Sequence, residues 1–329
     1  MTQENLTVNK SLKVSKKEIL DDFLLMNVSR NISYIGRKEV FMGRAKFGVF
    51  GDGKELPQIA MSKFFRNGDF RSGYYRDQTF MMSINQLTPD QFFAQLYAHT
   101  DIKKDPHSGG RQMNCHFGTR LLNENGDWKT QTDMMNSVSD ISCVSGQMPR
   151  IVGLAYASKL YRNNKNLSDM ENFSINGNEV VLGTIGDAST SEGHFWEAIN
   201  ACGVLQVPLI MSIWDDGYGI SVPSEYHTTR NDLSKALSGF QRSSKKENGY
   251  EIFTVHAWDY INLLKTYQKA EKLAREDHVP CIIHVKDVTQ PQGHTTSGSH
   301  ERYKSKERLN WEKDFCCIKR MRELSLIHI

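Results

Sequence analysis

Three aspartates stand where two short apolar segments end, and their positions suggest a site for a cation. Asp187 follows EVVLGTI (179–185), and the adjacent Asp215 and Asp216 follow PLIMSIW (208–214). Neighbouring carboxylates repel each other and resist burial unless a cation lies beside them. Mg²⁺ prefers carboxylate and phosphate oxygens as ligands. The pattern therefore indicates a divalent cation that carries a phosphate group, with the alternative that these aspartates only form turns or cap helices.

The segments that position these aspartates alternate between predicted strands and helices. Strands are predicted over 179–185, 208–214 and 280–288, and helices over 57–65, 149–161, 191–205, 260–276 and 307–323. Ser191 is the expected N-cap of its helix. The alternation predicts βαβ units and an α/β fold, with a mostly parallel sheet flanked by helices. Because the carboxyl ends of parallel strands share one edge, Asp187 and Asp216 are expected to lie close together there.

The chain divides into three predicted parts. Residues 1–35 are expected to form an N-terminal extension with one amphipathic helix, and residues 36–323 the main domain. The last six residues, LSLIHI (324–329), are interpreted as a non-native tail. The reason is that CTGTCTCTTATACACATC, a sequencing-library adapter, would encode them.

The composition is that of an ordinary globular protein and excludes several classes. The 329 residues are 39% hydrophobic and 24% charged, with a formal net charge of +3, so nothing indicates a nucleic-acid partner. No run approaches the roughly 18 apolar residues of a membrane span. The six cysteines include no CxxC pair and are predicted to be reduced thiols. The N-terminus has the features of neither a signal peptide nor a transit peptide, which predicts a cytoplasmic protein.

The segment that carries the three aspartates resembles a known cofactor motif. GDASTSEGHFWEAINACGVLQVPLIMSIWDDGYGIS (186–221) is similar to the thiamine diphosphate motif, in which GDG is followed downstream by NN. More narrowly, it resembles the alpha subunits of 2-oxo acid dehydrogenases, whose EG, F, EA, N, P, Y and IS positions are matched in register. The sequence departs from the pattern in two motifs, since Ala188 replaces the last glycine of GDG and Asp215–Asp216 replaces NN.

Other stretches extend this resemblance over most of the chain. GYYRDQTF (73–80) resembles the YR element of the family, SDISCVSGQMPRIVGLAYA (139–157) its cofactor loop, and QPQGHTTSGSHERYKS (290–305) its GHS loop. GRQMNCHFG (110–118) resembles the branched-chain members in particular.

The resemblance implies thiamine diphosphate and Mg²⁺ as cofactors and assigns residues to them. Mg²⁺ would be bound by the side chains of Asp187 and Asp216 and the backbone carbonyl of Tyr218. The implied cofactor-binding residues are Tyr75, Arg76, Ser142, Val144, Gly186, Asp187, Ala188, Ser189, Asp216 and His294. His294 falls at the position of the active-site histidine of the family and is the implied catalytic residue. The resemblance assigns no role to Asp215.

The function implied is that of the alpha part of a 2-oxo acid dehydrogenase. Such a protein carries out thiamine diphosphate-dependent oxidative decarboxylation of a 2-oxo acid, here of the branched-chain type, and passes the acyl group to a lipoyl group of an acyltransferase component. In the family a beta subunit supplies the glutamate that activates the cofactor. The resemblance therefore implies a beta partner, or a fused beta half that this chain lacks, and no activity without it.

Two alternatives stay open. One is the alpha subunit of a pyruvate- or acetoin-type dehydrogenase. The other is a non-catalytic subunit that only assembles a complex, which the two departures from the motif suggest.

Overall fold

The computed structural model of the chain describes residues 6–7, 13–167, 169–296 and 298–328. Its strands are β1 (Leu6–Thr7), β2 (Lys13–Val14), β3 (Phe70–Ser72), β4 (Asn136–Ser137), β5 (Val181–Gly186), β6 (Leu209–Trp214), β7 (Tyr218–Gly219), β8 (Val222–Pro223), β9 (Glu251–His256) and β10 (Cys281–Lys286). Six of them form one sheet in the order β4-β3-β5-β6-β10-β9, and every neighbouring pair is parallel. The predicted α/β class with a parallel sheet is confirmed.

Helices pack on both sides of this sheet. They are α1 (Lys16–Phe41), α2 (Glu55–Ser62), α3 (Gln78–Ser83), α4 (Pro89–Leu96), α5 (Met148–Asn163), α6 (Gly193–Leu205), α7 (Leu233–Ala236), α8 (Tyr260–Asp277), α9 (Lys306–Asp314) and α10 (Cys317–His328).

Side chains alternate across a strand, so each strand of the sheet contributes to two cores. Leu182 and Ile210 join residues of α1, α2 and α8 on one face. Val181 and Met211 join residues of α5 and α6 on the other. The continuous apolar runs of β5 and β6 are what burial on both faces requires.

The central βαβ unit lies where the sequence predicts it. β5, α6 and β6 agree with the predicted segments 179–185, 191–205 and 208–214 to within two residues. The turn between β6 and β7 then begins at Asp215, and a short helical turn, Ala188–Ser191, separates β5 from α6.

Three helices differ from the prediction. Helix α1 runs without a break past residue 35 to Phe41, and α2 starts and ends a few residues before the predicted 57–65. The single helix predicted over 307–323 is two helices, α9 and α10. It breaks at Phe315, whose ring stacks on Trp311 with centroids 5.1 Å apart. The division of the chain into extension, domain and tail stays a prediction.

Ser191 is not the N-cap that the sequence predicts. Helix α6 begins at Gly193, and its N-cap is Glu192, which makes no side-chain capping hydrogen bond. Ser191 ends the preceding helical turn instead, and its Oγ donates to the backbone oxygen of His227 at 2.7 Å. The Ser191 hydroxyl therefore bonds a loop from another part of the chain instead of capping α6.

Two expectations from composition can be compared with the structure. Among the described residues, no helix has both the length and the apolar character needed to cross a membrane. All six cysteines are free, as predicted.

Candidate functional site

The carboxyl ends of β5 and β6 border a cavity of about 230 Å³. Ten of the eleven residues predicted to bind cofactor or metal line it: Tyr75, Arg76, Val144, Gly186, Asp187, Ala188, Ser189, Asp216, Tyr218 and His294. Tyr74, Gly219 and Ile220 complete the wall. The fold therefore gathers five separate stretches of sequence around one space.

Asp187 presents an unsatisfied oxygen at this cavity. The residue is 3% exposed, and its Oδ2 has no hydrogen-bond partner in the part of the chain that the structure describes. His227 Nε2 lies 4.0 Å away and also lacks a partner. Burial, followed by the negative charges of Asp216 and Asp215, raises the pKa of Asp187 well above its usual value. A buried carboxylate oxygen without a donor is a position at which a cation or a donor from a ligand is favourable.

Asp216, by contrast, has a protein partner on each oxygen. Its Oδ2 accepts hydrogen bonds from Lys54 Nζ at 3.3 Å and His294 Nε2 at 3.0 Å, and its Oδ1 accepts from the backbone N–H of Tyr218 at 3.2 Å. Burial would raise the pKa of Asp216, but the neighbouring His294 and Lys54 outweigh it and lower this pKa below its usual value. Asp216 is therefore an ionised carboxylate whose charge is balanced within the protein.

Asp215, which the sequence left without a role, pairs with a histidine of the next strand. Its Oδ2 lies 2.7 Å from Nε2 of His284, a fully buried residue of β10, and its Oδ1 accepts from the backbone N–H of Gly217 at 3.0 Å. Nδ1 of His284 lies 2.7 Å from Ser234 Oγ on α7. Asp215 therefore ties the end of β6 to β10 and α7 rather than facing the cavity with Asp216.

Arg76 lies on the turn between β3 and α3 and is nearly buried. Its guanidinium donates to the backbone oxygens of Phe50 at 2.6 Å and His294 at 3.0 Å. It therefore joins the loop that carries His294 to the segment around Phe50.

A buried ion cluster holds this turn in place. Arg71 is fully buried, with Nη2 2.7 Å from Asp77 Oδ2 and 3.0 Å from Asp140 Oδ2. Asp77 also accepts from Thr184 Oγ1 on β5 at 2.5 Å, and Asp140 accepts from the backbone N–H of Phe117 at 3.0 Å. One guanidinium thereby positions both the turn with Arg76 and the loop with Val144.

His294 presents one free ring nitrogen. Its Nε2 contacts Asp216, and its buried Nδ1 has no hydrogen-bond partner among the described residues. Burial lowers the pKa of His294, and the negative charge of Asp216 opposes this shift. Because Asp216 is ionised, this network assigns the proton to Nε2 and leaves Nδ1 as the basic nitrogen.

The backbone at the end of β5 approaches the β7–β8 hairpin closely. A Cβ atom on Gly219 would lie 2.7 Å from the Cβ of Ala188. The alanine that replaces the last glycine of the motif is therefore accommodated because residue 219 is a glycine.

Ser142 is the one predicted residue that does not line the cavity. Its Oγ lies 2.8 Å from Nε2 of the buried His116, whose ring stacks on Tyr75 with centroids 6.2 Å apart. Val144, two residues further on, does reach the cavity and is 45% exposed. A contact between Ser142 and a cofactor stays a prediction.

Three residues at the site are not predicted from the sequence. Lys54 is 1% exposed and also donates to Gln290 Oε1 at 2.6 Å, and Arg308 Nη2 donates to the backbone oxygen of Asp216 at 2.6 Å. His227 faces Asp187. None of these three residues belongs to a recognisable motif. The adjacent carboxylates of Asp215 and Asp216 predict a positive charge nearby, but they do not indicate which residue supplies it.

The residues present fit a diphosphate accompanied by a divalent cation. Asp187 Oδ2 offers a free lone pair, Arg76 offers a guanidinium, and Gly186 and Ala188 permit a close approach to the backbone. Among the described residues, no three His, Cys, Asp or Glu side chains form a metal cluster. A cation here would therefore take further ligands from the backbone, from water or from phosphate oxygens.

Ligands of parallel α/β sheets bind at the carboxyl ends of the strands, which is where this cavity lies. The sequence model of the dehydrogenase E1 component family matches residues 25–327, and the chain belongs to this family. The resemblance to thiamine diphosphate-dependent 2-oxo acid dehydrogenase components is thereby confirmed.

Three curated relatives are all 2-oxoisovalerate dehydrogenase alpha subunits. The chain is similar to the mitochondrial 2-oxoisovalerate dehydrogenase subunit alpha of Homo sapiens (25% identity over 305 residues) and of Dictyostelium discoideum (26% over 314 residues). It is also similar to 2-oxoisovalerate dehydrogenase subunit alpha of Bacillus subtilis (25% over 276 residues). These matches cover 92%, 94% and 84% of this chain, and 58%, 61% and 72% of the relatives. The chain thus spans less than two thirds of the human and Dictyostelium proteins.

Proposed function

We propose that this chain is the alpha part of the decarboxylating component of a 2-oxo acid dehydrogenase, with thiamine diphosphate and Mg²⁺ as cofactors. The observation that carries the proposal is the cavity at the carboxyl ends of β5 and β6, on which the YR, GDAS, DGY and GH segments converge. The family match supports the cofactor class. Similarity to 2-oxoisovalerate dehydrogenase alpha subunits supports a branched-chain 2-oxo acid as the substrate.

In this proposal the residues of the chain bind and position the cofactor. The Arg76 guanidinium is suited to hold the diphosphate, since its planar fork matches phosphate oxygens. Asp187 meets the cation, and the Tyr218 carbonyl is a further ligand that the sequence predicts. The sequence also predicts Asp216 as a ligand, but Lys54 and His294 already bond its Oδ2. Bound thiamine diphosphate supplies the electron sink for the loss of CO₂ from the 2-oxo acid. Nδ1 of His294 can accept or return a proton at the cavity wall.

An exposed apolar group beside the cavity supports a protein partner. Val144, Ile220, Val222 and Tyr226 are exposed, and the first two line the cavity itself. Apolar side chains grouped beside a cavity mark an interaction surface. We propose that a beta subunit, or a fused beta half, covers this group, and that the acyl group passes to a lipoyl group of an acyltransferase component.

Calorimetric titration with thiamine diphosphate and MgCl₂, with the beta partner present, tests the proposal. Saturable binding is expected, and Arg76→Met is expected to weaken it by about tenfold or more, because it removes a charged hydrogen-bond donor. The exposed Arg66 pairs with Glu271 outside the residues that line the cavity, so Arg66→Met is the matched control and should leave binding unchanged.

Decarboxylation assays with a panel of 2-oxo acids then identify the substrate, with turnover expected only when the partner is added. Absence of cofactor binding in the assembled complex would favour the non-catalytic alternative. Preferred turnover of pyruvate, or of acetoin in a parallel assay, would favour those branches of the family.

A further inference from the structure

Two buried polar atoms face each other where Asp187 borders the cavity, and neither has a hydrogen-bond partner among the described residues. They are Asp187 Oδ2 and His227 Nε2, which lie 4.0 Å apart. This separation is too long for a hydrogen bond. It lies within the span of two bonds of about 2.1 Å each to one metal ion. Because Asp187 is 3% exposed, its unpaired oxygen is unfavourable until something binds it.

His227 is held in an orientation suited to a metal ligand. Its Nδ1 lies 2.9 Å from Thr228 Oγ1, and its backbone oxygen accepts from Ser191 Oγ at 2.7 Å. A hydrogen bond to the second ring nitrogen is the usual way in which proteins orient a histidine toward a metal.

Asp216 is engaged by other groups. Its Oδ2 already accepts from Lys54 and His294, so a cation that used this oxygen would have to displace one of them. Lys54 has little freedom to withdraw, because it is buried and its Nζ also bonds Gln290. The ammonium and the carboxylate together are neutral, so Lys54 cancels the charge that Asp216 brings to the site.

We propose that His227 Nε2 and Asp187 Oδ2 together bind a divalent metal ion, and that Lys54 keeps Asp216 out of its coordination shell. The proposal rests on the proposed function, because this ion is the one that accompanies the diphosphate. An imidazole ligand shifts the preference of the site toward Mn²⁺, Co²⁺ or Zn²⁺, since Mg²⁺ prefers oxygen ligands. Water and phosphate oxygens fill the remaining positions.

Mn²⁺ is the probe, because its electron spin reports directly on a bound nitrogen. The folded full chain is titrated with Mn²⁺ without thiamine diphosphate, and free Mn²⁺ is followed by electron paramagnetic resonance. Saturable binding is expected, with ¹⁴N modulation in the spin-echo envelope from the imidazole. His227→Gln is expected to abolish the modulation and to weaken binding by about tenfold or more, and Asp187→Asn to weaken it similarly.

Matched variants separate coordination from general electrostatics. His194 is an exposed histidine near the start of α6, and His194→Gln should change neither affinity nor modulation. Lys54→Met should tighten Mn²⁺ binding severalfold, because it removes a positive charge and one of the two donors to Asp216 Oδ2. Lys304→Met removes a buried lysine that pairs with Glu312 and should change the affinity less. Circular dichroism checks folding, and His227→Ala serves if the glutamine variant does not fold.

Several results would overturn the proposal. They are absence of Mn²⁺ binding at millimolar concentration, bound Mn²⁺ without ¹⁴N modulation, and His227 variants with unchanged affinity. A Lys54→Met variant that binds no more tightly would overturn the part assigned to Lys54. Thiamine diphosphate is added only afterwards. A chain that binds Mn²⁺ through His227 but never binds thiamine diphosphate would refute the proposed function and leave this inference standing.

Discussion

At the residue scale, three aspartates close together in the fold have three different electrostatic environments. Asp187 has an oxygen without a donor and a raised pKa, whereas Asp216 has donors on both oxygens and a lowered pKa. Asp215 pairs with His284. The chemistry open to each carboxylate is therefore set by its partners. Of the three, only Asp187 presents a buried oxygen that no protein group satisfies.

The Arg71 cluster gives a prediction at the same scale. Arg71→Met would leave Asp77 and Asp140 as buried carboxylates without their cation. Breaking such a buried pair typically costs about 3–5 kcal/mol. Urea unfolding of the variant should therefore show a large loss in the free energy of unfolding.

An exposed arginine provides the control for Arg71. The Arg66 side chain is 60% exposed and contacts Glu271. Arg66→Met should cost less than about 1 kcal/mol, because water screens the pair. Similar losses for the two variants would show that the Arg71 cluster does not stabilise the fold in the way described.

At the element scale, the ends of helices and strands carry the side chains that matter. His278 is the C-cap of helix α8, has a left-handed backbone (φ 52°) and places its Nε2 2.8 Å from the backbone oxygen of Gly177. Burial lowers the pKa of His278 to about 4. Between pH 6.5 and 4 the unfolded chain therefore binds a proton that the folded chain does not, so stability is lost as the pH falls.

Replacement of His278 by asparagine should remove this acid sensitivity. Asparagine tolerates the left-handed conformation and does not titrate. The wild-type chain should lose stability relative to His278→Asn below pH 6.5, by up to about 1.4 kcal/mol per pH unit. Urea unfolding at pH 7.5, 5.5 and 4.5 measures this, and a difference that stays constant with pH would contradict the assignment.

Gly53 gives a second prediction about an element boundary, just before α2. It has φ +92°, and a Cβ atom there would lie 1.7 Å from the backbone oxygen of Thr289. Gly126 has φ +88° with no atom within 4 Å of such a Cβ. Gly126→Ala should cost about 1–2 kcal/mol from backbone strain alone. Gly53→Ala should cost at least about 1 kcal/mol more, because the loop of Thr289 must move.

Urea unfolding of both glycine variants checks this comparison. Equal losses would mean that the loops around Lys54 adapt easily. The close approach at Gly53 would then not be what positions Lys54 against Asp216.

At the scale of the whole molecule, the sheet places its cavity at an edge bordered by exposed apolar residues. Ile220 lines the cavity and is 58% exposed, whereas Val204 on α6 is 64% exposed and does not line the cavity. If a beta partner covers the cavity, Ile220→Asp should weaken its association by about tenfold or more. Val204→Asp should change it much less, and biolayer interferometry with the immobilised partner measures both. Equal effects would place the partner elsewhere.

Much of this molecule could be predicted from the residues alone. The apolar runs of β5, β6 and β10 and the helical spacing between them determine a parallel α/β sheet, because each pattern can be buried in only one way. The common location of the motif residues follows from that sheet. Ten of the eleven predicted site residues line one cavity because strand ends in a parallel sheet share an edge.

The tertiary structure decided the partners of those residues. Lys54, His227 and His284 meet the three aspartates through loops and a neighbouring strand, and no local pattern encodes such contacts. The same holds for Ser191, whose hydroxyl bonds a distant backbone oxygen instead of capping α6. Sequence periodicity determines which face of an element is buried, whereas pairing between loops depends on the path of the whole chain. The residue pattern therefore predicts where the acidic side chains lie, whereas their partners in the fold determine that Asp187 Oδ2 is the oxygen without a donor among the described residues.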